Sequence, residues 1–140
     1  MNLLPIPMAQ LDDMWVHIEP IIKRAVLLTP DRIGTEDLLD AAKAGQYLLW
    51  IVYEEKDKNK VIQAVLSTRV LQYPKTKAFA IDFVAGTNMK EWLPIVMDKF
   101  EEVAKLNSCT HIEGYGRTAW SRYLKKYGWN VRHIQYEKRL

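Results

Sequence analysis

The chain has 140 residues, 49% of them hydrophobic and 26% charged, with 20 basic and 17 acidic side chains and a formal net charge of +3. That is enough for one domain with its own core, and a charge this mild makes nucleic acid an unlikely partner and calls for no anionic membrane. No apolar run reaches the length of a membrane span, and the lone cysteine, Cys109, excludes an internal disulfide.

A cytosolic setting is therefore the expectation, and Met1 to Pro7 lacks the charged start and apolar core of a secretory leader. Asn2 to Pro7 sets Leu3, Leu4 and Ile6 between prolines and reads as a short edge strand. Leu11, Met14, Trp15, Ile18, Ile21, Ile22 and Ala25 then mark one helical face, and Pro20 inside that run predicts a kink or split. Thr35 reads as an N-cap, with Glu36 and Asp37 in the first turn to suit the dipole. Gly45 is placed at C′ to end this short helix.

Tyr47 to Tyr53 is a continuous apolar run of strand length, which predicts a central strand covered on both faces. Glu54 to Lys60 reads as a charged loop, and Val61 to Tyr73 as the second arm of an antiparallel hairpin closed by Pro74. Phe79, Ile81 and Phe83 alternate with Ala78, Ala80 and Asp82, a third strand over Phe79 to Val84. Ala85 and Gly86 permit a tight turn, and Thr87 and Asn88 are N-cap types. From Glu91 the period turns helical, with Trp92, Val96, Phe100 and Val103 on one face as far as about Leu106. Pro94 predicts either an irregular first turn or a regular helix that begins nearer Glu91, leaving the amides of residues 86 to 90 free. A strand, a tight loop and a helix start present backbone N–H groups to an anion such as a diphosphate. An ordinary strand-to-helix turn without a ligand is the plainer alternative.

Thr110 to Glu113 reads as a short strand, with Cys109 before it as a buried structural thiol. The loop Gly114-Tyr115-Gly116-Arg117 leads into a helix capped by Thr118, packed through Trp120, Tyr123, Leu124 and Tyr127, and ended by Gly128. Trp129 to Lys138 alternates Val131, His133 and Gln135 against Arg132, Ile134 and Tyr136, a last strand. The expectation is a single α/β domain over residues 1–140. Its order is strand, helix, helix, three antiparallel strands, helix, strand, helix, strand, with helices covering one mixed sheet.

This order resembles the GNAT family of N-acetyltransferases over nearly the whole chain. Two segments carry the resemblance. Phe83-Val-Ala-Gly-Thr-Asn-Met-Lys-Glu-Trp-Leu93 stands at the place of the family's acetyl-CoA pyrophosphate loop. Gly116-Arg-Thr-Ala-Trp-Ser-Arg-Tyr-Leu-Lys-Lys-Tyr-Gly-Trp129 stands at its penultimate strand-helix-turn. The combination looks most like small GNAT-like proteins of tailed bacteriophages, some of which are virion components. Three positions depart from the family pattern. The loop keeps one glycine of Gln/Arg-x-x-Gly-x-Gly/Ala, the general-acid tyrosine is replaced by Leu124, and the family's asparagine by Arg117.

The resemblance implies acetyl-CoA as cofactor, held by Phe83, Val84, Ala85, Gly86, Thr87, Asn88, Met89 and Lys90, with carbonyl-polarising amides at Phe83 to Ala85. Acyl transfer to an amine also needs a base and a proton for the leaving thiolate. Asp82 and Glu113 are the candidate bases, each with an ion-pairing or solvent-facing role as its plain alternative. Tyr115 is the candidate replacement acid. Arg117 suits a phosphate, or a lock on Glu113 or Asp82. His17, His111 and His133 are scattered, and no metal-site spacing is present. The basic C-terminal third, from Arg117 to Arg139, suits a CoA 3′-phosphate or a nucleic-acid backbone, with a solvated helix face as the plain reading.

Two functions stay open. One is an acyl-CoA-dependent N-acyltransferase with a degenerate pyrophosphate loop, acting on a small-molecule or protein amine in the cytoplasm of a bacterial host. The other is a catalytically inactive virion or host-interaction module whose partners are phage structural proteins.

Overall fold

Alternation and turn chemistry build a sheet from the middle of the chain outward. The computed structural model describes residues 1–140. Strands β2 (Leu48–Lys56) and β3 (Asn59–Gln72) form an antiparallel hairpin across Asp57 and Lys58, whose φ angles are 49° and 67°. Two consecutive positive φ values make the tight turn whose twist matches that of the flanking strands. The loop expected over Glu54 to Lys60 thus shrinks to two residues. The charged side chains beside it project from strand backbone that still pairs, Glu54 with Val61 through Lys56 with Asn59.

Strand β1 (Asn2–Pro5) pairs antiparallel with β2 at the sheet edge, and β4 (Lys77–Gly86) pairs antiparallel with β3. Strand β5 (His111–Gly114) lies parallel to β4, giving one mixed sheet in the order β1-β2-β3-β4-β5. Helices α1 (Leu11–Val26) and α2 (Thr35–Lys43) cover one face, and α3 (Met89–Leu106) covers the other. Neighbouring residues of one strand feed different cores: Leu49 and Val65 meet Ile18, Ile22 and Leu38, whereas Trp50 and Leu66 meet Trp92, Val96 and Phe100. That two-sided burial is why β2 reads as an unbroken apolar run. Phe100 is fully buried, with its ring 5.1 Å from Trp50 and 5.3 Å from Phe79, both edge-on.

Pro20 does not split α1, and Pro94 does not delay α3. Both prolines sit on the exposed side of their helices, where a carbonyl left without an N–H partner is open to solvent and costs little. Gly34 rather than Thr35 is the N-cap of α2, and Asp37 accepts its N–H at 2.8 Å. Gly45, at φ 79°, closes α2 as expected, and the N–H groups of Gly45 and Gln46 reach the carbonyls of Ala42 and Ala41.

The last expected strand is absent. After α4 (Ser121–Leu124), which 3-10 turns flank on both sides, residues 129–140 form neither helix nor strand. Ion pairs of Arg139 with Asp31 and Arg32 with Glu137 hold this tail to the α1–α2 connection, leaving Val131, Ile134 and Tyr136 exposed. Alternation is a local property, whereas a strand also needs an edge in register, and β5 offers only four residues.

Phe100→Ala should lower stability by about 3–5 kcal/mol through the cavity it leaves. Chemical denaturation measures this, and a loss below about 1 kcal/mol would contradict the packing described.

Candidate functional site

The site grows from an irregularity in β4. Ser67 pairs with Phe83 and Thr68 with Ile81, so Asp82 is an extra residue, a β-bulge. Phe79 and Ile81 face the α3 core, but beyond the bulge Phe83 packs with the α1/α2 core and Val84 with the α3 core. Two contacts pin the bulge. The Phe83 N–H donates to Ser67 Oγ at 3.0 Å, and Arg69 donates from Nε and Nη2 to the two Asp82 carboxylate oxygens at 2.8 and 3.0 Å. The Arg69 guanidinium lies 5.5 Å from the Tyr47 ring centre. Burial, then the charge of Asp82, raises the Tyr47 hydroxyl above the ordinary tyrosine range.

Strand β5 pairs with β4 only from Ala78 to Ile81, so Asp82 to Gly86 has β3 on one side and no strand on the other. Phe83 and Thr87 both send their N–H toward β3, to Ser67 Oγ and to the Gln63 carbonyl. The period of two then turns the N–H groups of Val84 and Gly86 to the open edge. Of the carbonyl-polarising amides expected at Phe83 to Ala85, only that of Val84 faces the opening.

The loop that follows is tied down by β3. Gln63 Oε1 accepts from Asn88 Nδ2 at 2.8 Å and from Thr87 Oγ1 at 3.3 Å, and Trp92 Nε1 donates to the Thr87 carbonyl at 2.7 Å. Asn88 takes the left-handed conformation, which asparagine tolerates, and α3 starts at Met89. The Thr87 amide is consumed by Gln63, while those of Asn88, Met89 and Lys90 find no acceptor in the chain. They stand at the positive end of an 18-residue helix beside the exposed Lys90 side chain, an arrangement suited to a diphosphate. Gly86 is required by the strand contact itself. A Cβ there would strike the Gln63 carbonyl and lie 2.5 Å from Ala64 Cβ.

The sheet brings the two candidate bases to neighbouring strands but treats them differently. Asp82 is committed to Arg69. Glu113 lies opposite Ala80, one residue before β5 ends. It accepts from the Tyr73 hydroxyl, 2.9 Å from both carboxylate oxygens, and lies 3.0 Å from His111 Nε2. The hydrogen bond to Glu113, followed by burial and the carboxylate charge, raises the Tyr73 hydroxyl. Tyr115 is exposed in the loop after β5. Arg117 is exposed and makes no ion pair, so it locks neither Asp82 nor Glu113. Leu124 and Tyr123 both pack against the α3 core. No cluster of His, Cys, Asp and Glu is able to hold a metal ion.

Gln63, Ser67, Arg69 and Tyr73 escaped the sequence reading, although all lie on or just after β3. The available signal was polarity inside an apolar strand: Gln63, Ser67 and Thr68 are the three buried polar residues of the chain.

No protein-family model matches the chain, and no curated protein does. Solved structures do match. Ribosomal-protein-alanine N-acetyltransferase from Brucella melitensis biovar Abortus 2308 aligns at 10% identity over 100% of both chains, with a TM-score of 0.69. Glucosamine-6-phosphate N-acetyltransferase from Arabidopsis thaliana aligns at 13% identity over 99% of this chain and 97% of its own, at 0.65. A predicted acetyltransferase from Clostridium acetobutylicum, solved with acetyl-CoA, aligns at 15% identity over 99% and 95%, at 0.67. Likeness at such low identity shows the fold, and the fold is that of the GNAT acetyltransferases.

Gly86→Ala should destabilise the protein by about 1–3 kcal/mol by forcing β3 and β4 apart; an unchanged denaturation midpoint would refute the contact. Glu113→Gln removes the charge that holds the Tyr73 proton, so the Tyr73 titration should move down toward ordinary tyrosine. Carbon-13 tyrosine NMR across alkaline pH reads this, and no movement would break the Tyr73–Glu113 link.

Proposed function

We propose that this chain is an acyl-CoA-dependent N-acyltransferase with a reduced diphosphate loop. One observation carries the reading: the open edge of β4 beyond Asp82 runs directly into three unpaired amides at the start of α3. The donor set fits the anionic end of such a cofactor. Asn88, Met89 and Lys90 offer backbone N–H groups, the helix end adds its dipole, and Lys90 and Arg117 add mobile positive charge. Acetyl-CoA, when bound, supplies the acyl group as a thioester.

The chain's own residues then have separate tasks. The Val84 N–H donates to the acyl oxygen, where negative charge grows as the carbonyl is attacked. Glu113 is the general base and removes the proton of the acceptor ammonium. The Tyr73 hydroxyl donates to its carboxylate, and His111 Nε2 lies 3.0 Å from it. Asp82 serves as the counterion of Arg69, and the pair keeps the bulge in place. Tyr115 is the hydroxyl available to return a proton to the departing thiolate. The acceptor is an amine, of a small molecule or a protein.

A second reading draws on Leu124, which stands where the resemblance expects a tyrosine acid. It is a catalytically silent GNAT-fold module, of the kind carried in phage virions, that keeps the binding loop without turnover.

Calorimetry with acetyl-CoA tests the first reading. Saturable binding is expected, and Lys90→Glu should weaken it by about tenfold by reversing a charge at the helix start. No heat at millimolar acetyl-CoA would remove the cofactor proposal. Thiol release with a panel of amines then tests turnover, and Glu113→Gln should slow it by about 10²–10⁴-fold. Binding without thiol release for any amine would favour the silent module.

A further inference from the structure

A cavity lies at the opposite end of the sheet from the amide cradle. Strand β2 begins at Leu48, paired with Thr68, so β3 from Arg69 to Gln72 has no neighbour on that side. The gap is a notch of about 710 Å³. That volume is in the range that takes a small organic ligand. Most of its lining is apolar, and Met8, Leu48 and Val70 are exposed around it.

Its polar chemistry is one-sided. Arg69 is the only charged residue in the lining, and no carboxylate lines it. Asp82 takes two of the five guanidinium N–H donors, and the remaining three have no partner in the chain. The grip of Asp82 and the Tyr47 ring fixes the guanidinium plane, so little side-chain freedom is left to lose on binding. Tyr47 and Gln46 also line the notch. Preset donors at one wall of an apolar trough match a ligand with an anionic head and a hydrocarbon body.

We propose that this notch binds a small amphipathic carboxylate, with the carboxylate on Arg69 and Tyr47 and the hydrocarbon running over the sheet edge against Met8, Leu48 and Val70. The site shares the Arg69–Asp82 pair with the bulge but none of the amides at the start of α3, so acyl-CoA binding is not required for it.

Calorimetry of the full chain with octanoate, octanol and octylamine tests it. Octanoate should bind saturably and about tenfold more tightly than octanol, with octylamine weaker than both. Val70→Glu places a carboxylate at the exposed rim and should weaken octanoate by about tenfold without disturbing the core. Arg69→Gln combined with Asp82→Asn neutralises the pair without stranding a buried charge, and should bring octanoate down to the octanol level. The proposal is overturned by no saturable octanoate binding, by equal affinity for octanol, or by octanoate affinity unchanged in folded Val70→Glu.

Discussion

The extra residue in β4 governs the rest of this molecule. A strand with strict alternation would keep Phe83 on the same face as Ile81 and would continue to pair with whatever lies beside it. The bulge at Asp82 instead puts Phe83 under α1 and α2, returns Val84 to the α3 side, and falls one residue past Ile81, the last that β5 pairs with. A bulge also strengthens local twist, which separates neighbouring strands. It persists because its loose groups are satisfied: Ser67 takes the Phe83 N–H, and Arg69 takes the Asp82 carboxylate. Without those partners the irregularity would leave a partly buried charge and an orphan amide, both unfavourable.

The same constraint divides the work of the two carboxylates. Asp82, at the bulge, is nearly covered and spends both oxygens on one arginine. Glu113, at the end of the short parallel strand, keeps more exposure and meets only a phenol and an imidazole. In the acyl transfer proposed above, a base needs access to solvent, which Glu113 keeps and Asp82 does not. Strand β3 supplies the restraints on both sides of the splay, through Gln63 at the loop, Ser67 and Arg69 at the bulge, and Tyr73 beyond. The splayed end of β4 is therefore held almost entirely by the strand next to it.

Much of this was legible in particular residues. The alternation of Phe79, Ile81 and Phe83 located β4, and Gly86, Thr87 and Asn88 located its loop. Gly45 marked the end of α2 because only a left-handed residue closes a helix that way. The use to which Asp82 was put was not legible, because its partner lies 13 residues earlier on an adjacent strand. Gly86 was read as a ligand-facing residue, whereas the backbone of β3 occupies the space where its side chain would be. Trp129 to Lys138 has the right alternation for a strand but found no edge to join, since pairing is decided by another part of the chain.

From the order of residues alone came the α/β fold class, two apolar helix faces, a twice-covered strand β2 and the strand, loop and helix start around Gly86 to Met89. These follow from periodicity and turn chemistry, which act over a few neighbouring residues. The fold decided which amides remain free, which carboxylate is engaged, and that the sheet stops at five strands. Each of those depends on the register between segments far apart in the chain, and register is set when the two cores close on opposite faces of the sheet.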